Sequence, residues 1–224
     1  MVISITKLSA SSWFKIKAND TILYIDPGYI GDFKAQGIPE SELEEKGDII
    51  FITHFHMDHF QPEALDKIRN PETIILAPKY GADKIEGNFK VVKPQDELNI
   101  KNIRINVVKA YNTPEGHSTK KFHKKGDWVG YLITVDGKTI YHAGDTDFIQ
   151  EMNEFRDIDV ALIPIGGTYT MDIEEAVDAV LAIKPEVVIP MHMKDANPEE
   201  FKKIVEEKSK IKVIPLEIGG KYEL

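Results

Sequence analysis

The stretch ITHFHMDHF, residues 52–60, closes an apolar run and then sets three histidines and one aspartate into positions 54–59. The whole chain has 7 histidines, so this window holds far more than its share of imidazole, and packing alone does not select such crowding. His54 and His56 are two residues apart, so on an extended chain both side chains point the same way. Asp58 and His59 follow as the chain turns toward a helix that starts near Pro62. Imidazole and carboxylate are zinc's usual ligands where thiolate is lacking, and manganese and iron accept them too. Thiolate is lacking here. The 224 residues include no cysteine, which also excludes a disulfide framework and a cysteine nucleophile.

Four neighbouring ligands diverge and do not all close around one ion. They suit two adjacent ions whose remaining ligands come from elsewhere in the chain. YHAGDTD, residues 141–147, places Asp145 in a glycine-containing turn after a strand, where a carboxylate can bridge two cations. VVIPMHMK, residues 187–194, places His192 at the end of a buried strand, which holds a ligand rigidly.

The rest of the chain reads as one α/β domain over residues 1–224. Runs with strand character recur at VISIT 2–6, WFKIK 13–17, TILYI 21–25, DIIFI 48–52, TIILA 73–77, IRINVV 103–108, WVGYLITV 128–135, KTIYHA 138–143, DVALIPI 159–165, EVVIPM 186–191 and IKVIP 211–215. Amphipathic patterns predict helices over 62–70, 171–184 and 197–210, the second opened by Asp172 and Glu175 spaced as in a capping box. A charge of −9 argues against a general nucleic-acid surface, so a small-molecule substrate is expected. No apolar stretch reaches the roughly 20 residues of a membrane span. The N-terminus lacks the layout of a signal peptide, and a cytoplasmic location is expected.

The series THFHMDH 53–59, HAGDT 142–146 and PMH 190–192 resembles the metallo-β-lactamase superfamily, and its compact ascorbate-phosphate-lactonase-like and uncharacterised members most of all. The resemblance implies a four-layer αββα sandwich with metals at one edge of its two sheets. It assigns His54 and His56 to a first metal, Asp58, His59 and His192 to a second, and Asp145 to both. YIDP 24–27 also matches, with Asp26 orienting a ligand histidine. The implied cofactors are two divalent ions, zinc first, with manganese or iron as alternatives. The implied activity is that of a metal-dependent hydrolase, cleaving a small anionic ester, lactone or phosphodiester with a metal-bound hydroxide that Asp58 orients. An iron-dependent, dioxygenase-like oxidoreductase and a non-catalytic metal-binding module are the competing readings.

Two places depart from the superfamily pattern. Where relatives carry an N-terminal GH pair, this chain reads SASSWF 9–14. Where they carry a further histidine for the first metal, VVKAYNTPEGH 107–117 has Asn112. Either Asn112 coordinates through its oxygen, or His123, or less readily His117, swings in from the polar loop TPEGHSTKKFHKKGD 113–127. In that loop Lys120 and Lys124 are read either as part of a solvated charged run or as cations that draw in an anionic substrate. GGTYTMD 166–172 is either a glycine turn with a helix cap or a pocket wall presenting Tyr169 to substrate. His142 adjoins the Asp145 turn and is read as a structural residue that faces the core or supports the sheet, or as a partner flanking the ligands.

Overall fold

In the computed structural model of the chain, residues 2–28, 31, 35 and 40–224 are described. The chain divides into two compact units, Met1–Val92 with Leu216–Leu224, and Lys93–Pro215.

The first unit is built on a seven-stranded sheet in the order β14-β1-β2-β3-β4-β5-β6. Its strands are β1 (Ile3–Lys7), β2 (Phe14–Ala18), β3 (Thr21–Ile25), β4 (Ile49–Phe51), β5 (Ile74–Pro78), β6 (Phe89–Val92) and β14 (Lys221–Glu223). Strands β1 to β3 form an antiparallel meander, while β3, β4, β5 and β6 run parallel. Parallel neighbours present their C-terminal ends at one edge, where ligand sites of α/β sheets collect. The loops that follow β3 and β4, carrying Asp26 and residues 52–60, therefore emerge side by side. A single short helix, α1 (Pro62–Ile68), returns the chain to β5; Pro62 opens it, where the missing N–H costs nothing.

The second unit has a seven-stranded sheet ordered β13-β12-β11-β10-β9-β8-β7. These are β7 (Glu97–Ile100), β8 (Ile103–Ala110), β9 (Trp128–Val135), β10 (Lys138–His142), β11 (Val160–Pro164), β12 (Val187–Met191) and β13 (Lys212–Val213). Strands β10 to β13 are parallel, and β9 is antiparallel to both β8 and β10. The C-terminal ends of β8, β10, β11 and β12 thus share one edge, which carries residues 111–127, 143–147, 165–172 and 192–197. Helices α2 (Ile173–Ile183) and α3 (Pro198–Lys208) follow β11 and β12. Val177, Val180 and Ile183 on α2 are almost fully buried, each worth about 1.5–3 kcal/mol of apolar burial. Asp172 caps α2 by accepting the Glu175 N–H at 2.9 Å. Only half of the expected capping box forms, because the Glu175 carboxylate turns instead to the N–H groups of His117 and Phe148.

The strands foreseen from sequence are present with ends shifted by up to two residues, and β6, β7 and β14 are additional. The last three are short, and their polar or exposed residues hide the alternation. One correction bears on the site. Strand β4 stops at Phe51, so His54 and His56 lie on the loop beyond it and are not aligned by strand pleating. Trp13 and Trp128 are core residues as expected.

Candidate metal centre

In the first unit the organising group is the Asp26 carboxylate, fully buried just past β3 on a residue with φ of 51°. An aspartate tolerates this left-handed backbone better than most residues. Its Oδ1 accepts the Thr53 N–H at 2.7 Å, and its Oδ2 accepts both the Thr53 hydroxyl and the His59 Nδ1–H at 2.7 Å. Because the Thr53 proton is committed to Asp26, the Thr53 oxygen accepts from His54 Nδ1 at 2.9 Å. One buried carboxylate therefore fixes the tautomers of two histidines, and both rings carry their lone pair on Nε2. The His54 and His59 ring centroids are 3.9 Å apart, and His56 meets His54 edge-on at 4.7 Å.

Asp58 completes this cluster. Its Oδ2 lies 3.5 Å from His59 Nε2 and accepts a hydrogen bond from Ser11 at 3.1 Å. Ser11 belongs to the SASSWF segment, which therefore supplies a polar contact to this cluster. Gly28 lets the backbone pass closely: a Cβ there would sit 1.9 Å from the Asp58 carbonyl oxygen.

The second unit gathers His123, Asp145 and His192. Asp145 Oδ2 lies 3.5 Å from His123 Nε2 and 3.4 Å from His192 Nε2. The His123 ring is buried, with Nδ1 donating to Asn112 Oδ1 at 3.1 Å and to the Tyr169 carbonyl at 3.2 Å, so its Nε2 also bears the lone pair. The Asn112 oxygen is thus turned onto His123, and of the alternatives left open by the sequence His123 is the one aimed at Asp145. His117 points elsewhere, paired with Asp172 at 3.0 Å; that hydrogen bond raises its pKa above the ordinary histidine value.

Asp145 follows Gly144 in a turn that His142 braces, its Nδ1 accepting the Gly144 N–H at 3.2 Å. His192 stands just past β12 with φ of 48°, and Gly166 permits its carbonyl to approach, since a Cβ there would lie 2.4 Å from that oxygen. Asp147 is a residue that sequence reasoning missed. Fully buried, it accepts from Asn112 Nδ2 at 3.1 Å, the Thr113 N–H at 2.8 Å and Lys121 Nζ at 3.0 Å. Its only signal was its position two residues after Asp145 in YHAGDTD.

Both donor sets suit a divalent cation. Each brings carboxylate oxygens against imidazole nitrogens, with the Nδ1 of His54, His59 and His123 committed as a donor, and such electron-rich atoms converge stably around positive charge. Thiolate is absent and every donor is nitrogen or oxygen.

Of the lysines in residues 120–125, Lys121 pairs with Asp147 and Lys125 lies 3.9 Å from Glu151, while Lys120 and Lys124 have no carboxylate partner among the described residues. Tyr169 is half-buried, with Lys120 Nζ 5.4 Å from its ring centroid. Among the described residues no helix is long and apolar enough to cross a membrane.

The family model described as a β-lactamase superfamily domain matches residues 4–192. The UPF0173 metal-dependent hydrolase of Pyrococcus abyssi is 36% identical over 94% of this chain and 95% of its own length. That of Thermococcus kodakarensis is 37% identical over the same shares of the two chains. Among solved structures, Igni18, a metallo hydrolase from the hyperthermophilic archaeon Ignicoccus hospitalis, superposes with a TM-score of 0.79 at 28% identity, covering 100% of this chain and 99% of that one. With the fold and the superfamily motifs in agreement, the chain belongs to the metallo-β-lactamase superfamily and is a metal-dependent hydrolase of the UPF0173 kind.

Proposed function

We propose that the donors of both units serve two divalent ions, zinc first and manganese or iron as alternatives. In this reading His54, His56 and His123 serve one ion, Asp58, His59 and His192 the other, and Asp145 both. The substrate is a small anionic ester, lactone or phosphodiester. One observation carries the reading: His54, His59 and His123 are all committed at Nδ1, which readies Nε2 of each for a cation. The family match runs through both units, which supports treating residues 1–224 as one functional domain.

Divalent ions bound there supply Lewis acidity, lowering the pKa of water and polarising the carbonyl or phosphoryl group under attack. The side chains do the rest. Asp26 holds two rings in one tautomer through Thr53 and His59. Asn112 and the Tyr169 carbonyl do the same for His123. Asp58, half exposed and steadied by Ser11, is the residue assigned to orient the attacking water and to receive its proton. Lys120 and Lys124, without a carboxylate partner among the described residues, favour a negatively charged substrate.

The test is turnover of lactone and phosphodiester panels by protein stripped with chelator and reloaded separately with zinc, manganese or iron. Turnover lost on stripping and restored by one metal is the expected result. Full turnover by metal-free protein overturns the proposal.

A further inference from the structure

Beside His123 and His192 lies a cluster that metal binding leaves unused. The Tyr169 ring has Lys194 Nζ 4.4 Å from its centroid and Lys120 Nζ 5.4 Å away. Two like charges are thus collected at one ring, and neither has a carboxylate partner among the described residues. Phe122 packs on the same tyrosine with ring centroids 5.6 Å apart and planes tilted by 32°, yet stays 58% exposed. An aromatic side chain that well exposed presents an open face to a planar ligand.

The backbone pays for this placement. His192 and Lys194 both have φ of 48°, a left-handed conformation that bulky residues adopt only at a cost. Strain of this kind concentrates where a site needs it. Here the same bend carries His192 against Asp145 and Lys194 over Tyr169. On the other side, the Lys120 N–H bonds the Thr168 carbonyl at 2.7 Å, fixing the loop that bears Lys120 and Phe122 to the turn that bears Tyr169.

We infer that Lys120, Lys194, Tyr169 and Phe122 form a subsite for a phosphodiester that carries a planar aromatic ring, with the phosphoryl oxygens on the two ammonium groups and the ring on Phe122. This rests on the hydrolase reading of the adjoining centre and narrows its substrate class. Ammonium groups bind phosphoryl oxygens as point charges, and aromatic faces accept any planar ring. Hydrolysis of such a diester adds one water across a P–O bond and yields a phosphomonoester and an alcohol or phenol.

The probes are phenyl phosphate and inorganic phosphate, titrated calorimetrically into the zinc-loaded full chain. The parent protein is expected to bind phenyl phosphate about tenfold more tightly than inorganic phosphate, and Phe122→Ala to erase that preference. Lys194→Ala and Lys120→Ala are expected to weaken phenyl phosphate binding about three- to tenfold. Lys210→Ala, which removes an exposed lysine outside the cluster, serves as the control. Equal affinity for the two probes, or lysine variants that bind like Lys210→Ala, overturns the subsite. Turnover of the lactone and phosphodiester panels by the metal-loaded parent protein is read separately. Its absence with every metal counts against the hydrolase reading, while the calorimetry still decides the subsite.

Discussion

Asn112 and His123 are joined by three hydrogen bonds: the Asn112 N–H donates to the His123 carbonyl at 2.7 Å, and the Asn112 side-chain oxygen accepts the His123 N–H at 2.9 Å and its ring Nδ1–H at 3.1 Å. A single amide therefore sets both the backbone and the ring of a candidate ligand that lies on a loop. Asn112→Ala keeps the backbone bond and removes the side-chain brace, leaving the ring Nδ1–H only the Tyr169 carbonyl. Metal affinity is expected to fall about tenfold, as when other partners of ligand histidines are removed. Competition against a chromophoric chelator measures this, and affinity equal to that of the parent protein would show that the Tyr169 carbonyl alone suffices to hold the His123 ring.

Asp26→Asn tests the other tautomer control. An amide of the same size cannot accept from Thr53 N–H, Thr53 hydroxyl and His59 Nδ1–H together, so His59 is driven to carry its proton on Nε2. Metal affinity is expected to drop about 10- to 100-fold while the fold is kept. Nitrogen chemical shifts of the imidazole rings report the tautomer directly.

Lys7 lies fully buried at the end of β1, donating to the Leu216 carbonyl at 3.1 Å. Burial lowers its pKa to about 8, against a smaller opposing pull from Glu217. The unfolded chain keeps this proton up to the ordinary value of 10.5, the folded chain only to about 8. Between those values the unfolded state binds more protons, so folding stability gains from this residue as pH rises, by up to about 3 kcal/mol. Lys7→Met should lack that gain. Chemical denaturation of both proteins at pH 7 and pH 10 measures the difference, and parallel curves would refute it.

The His117–Asp172 pair has the opposite sign. Its hydrogen bond raises the histidine pKa, so its contribution is complete below the ordinary value of 6.5 and fades as pH climbs through the raised one. Asp172→Asn keeps a good helix cap for α2 and removes the charge. The His117 titration, followed by proton NMR, is expected to return toward its ordinary value. No movement would mean that the carboxylate does not set it.

Much of the centre was legible because chemistry-bearing residues sit beside strand ends, and a parallel sheet brings such ends to one edge. Asp145 was expected in a glycine turn after a strand and His192 at the end of a buried strand; they stand just past β10 and β12, with Asp145 Oδ2 3.4 Å from His192 Nε2. The choice between Asn112 and His123 was not legible, since it depends on which way an amide oxygen faces across a loop of irregular backbone. Thr53 and Asp147 were hidden for a different reason. Each is an ordinary polar residue inside a quoted motif, and only burial against particular donors gives it a role. Lys194 and Phe122 escaped notice because a cation near an aromatic ring leaves no periodic trace. The strand expected to aim His54 and His56 ends short of them; the Asp26–Thr53 network holds His54, and His56 lies edge-on against that ring.

The pairing of Thr119 N–H with the Gly167 carbonyl and of Lys120 N–H with the Thr168 carbonyl stitches the 112–127 loop to the 166–172 turn like a short seam. With His123 in the proposed ligand set and Tyr169 in the proposed subsite, selectivity and metal retention are inherited together. A change in the turn that reshapes the ground around Tyr169 also tugs on His123, so evolution toward a new substrate on this scaffold has to cross a stretch of weakened metal binding or rebuild both sides of the seam at once.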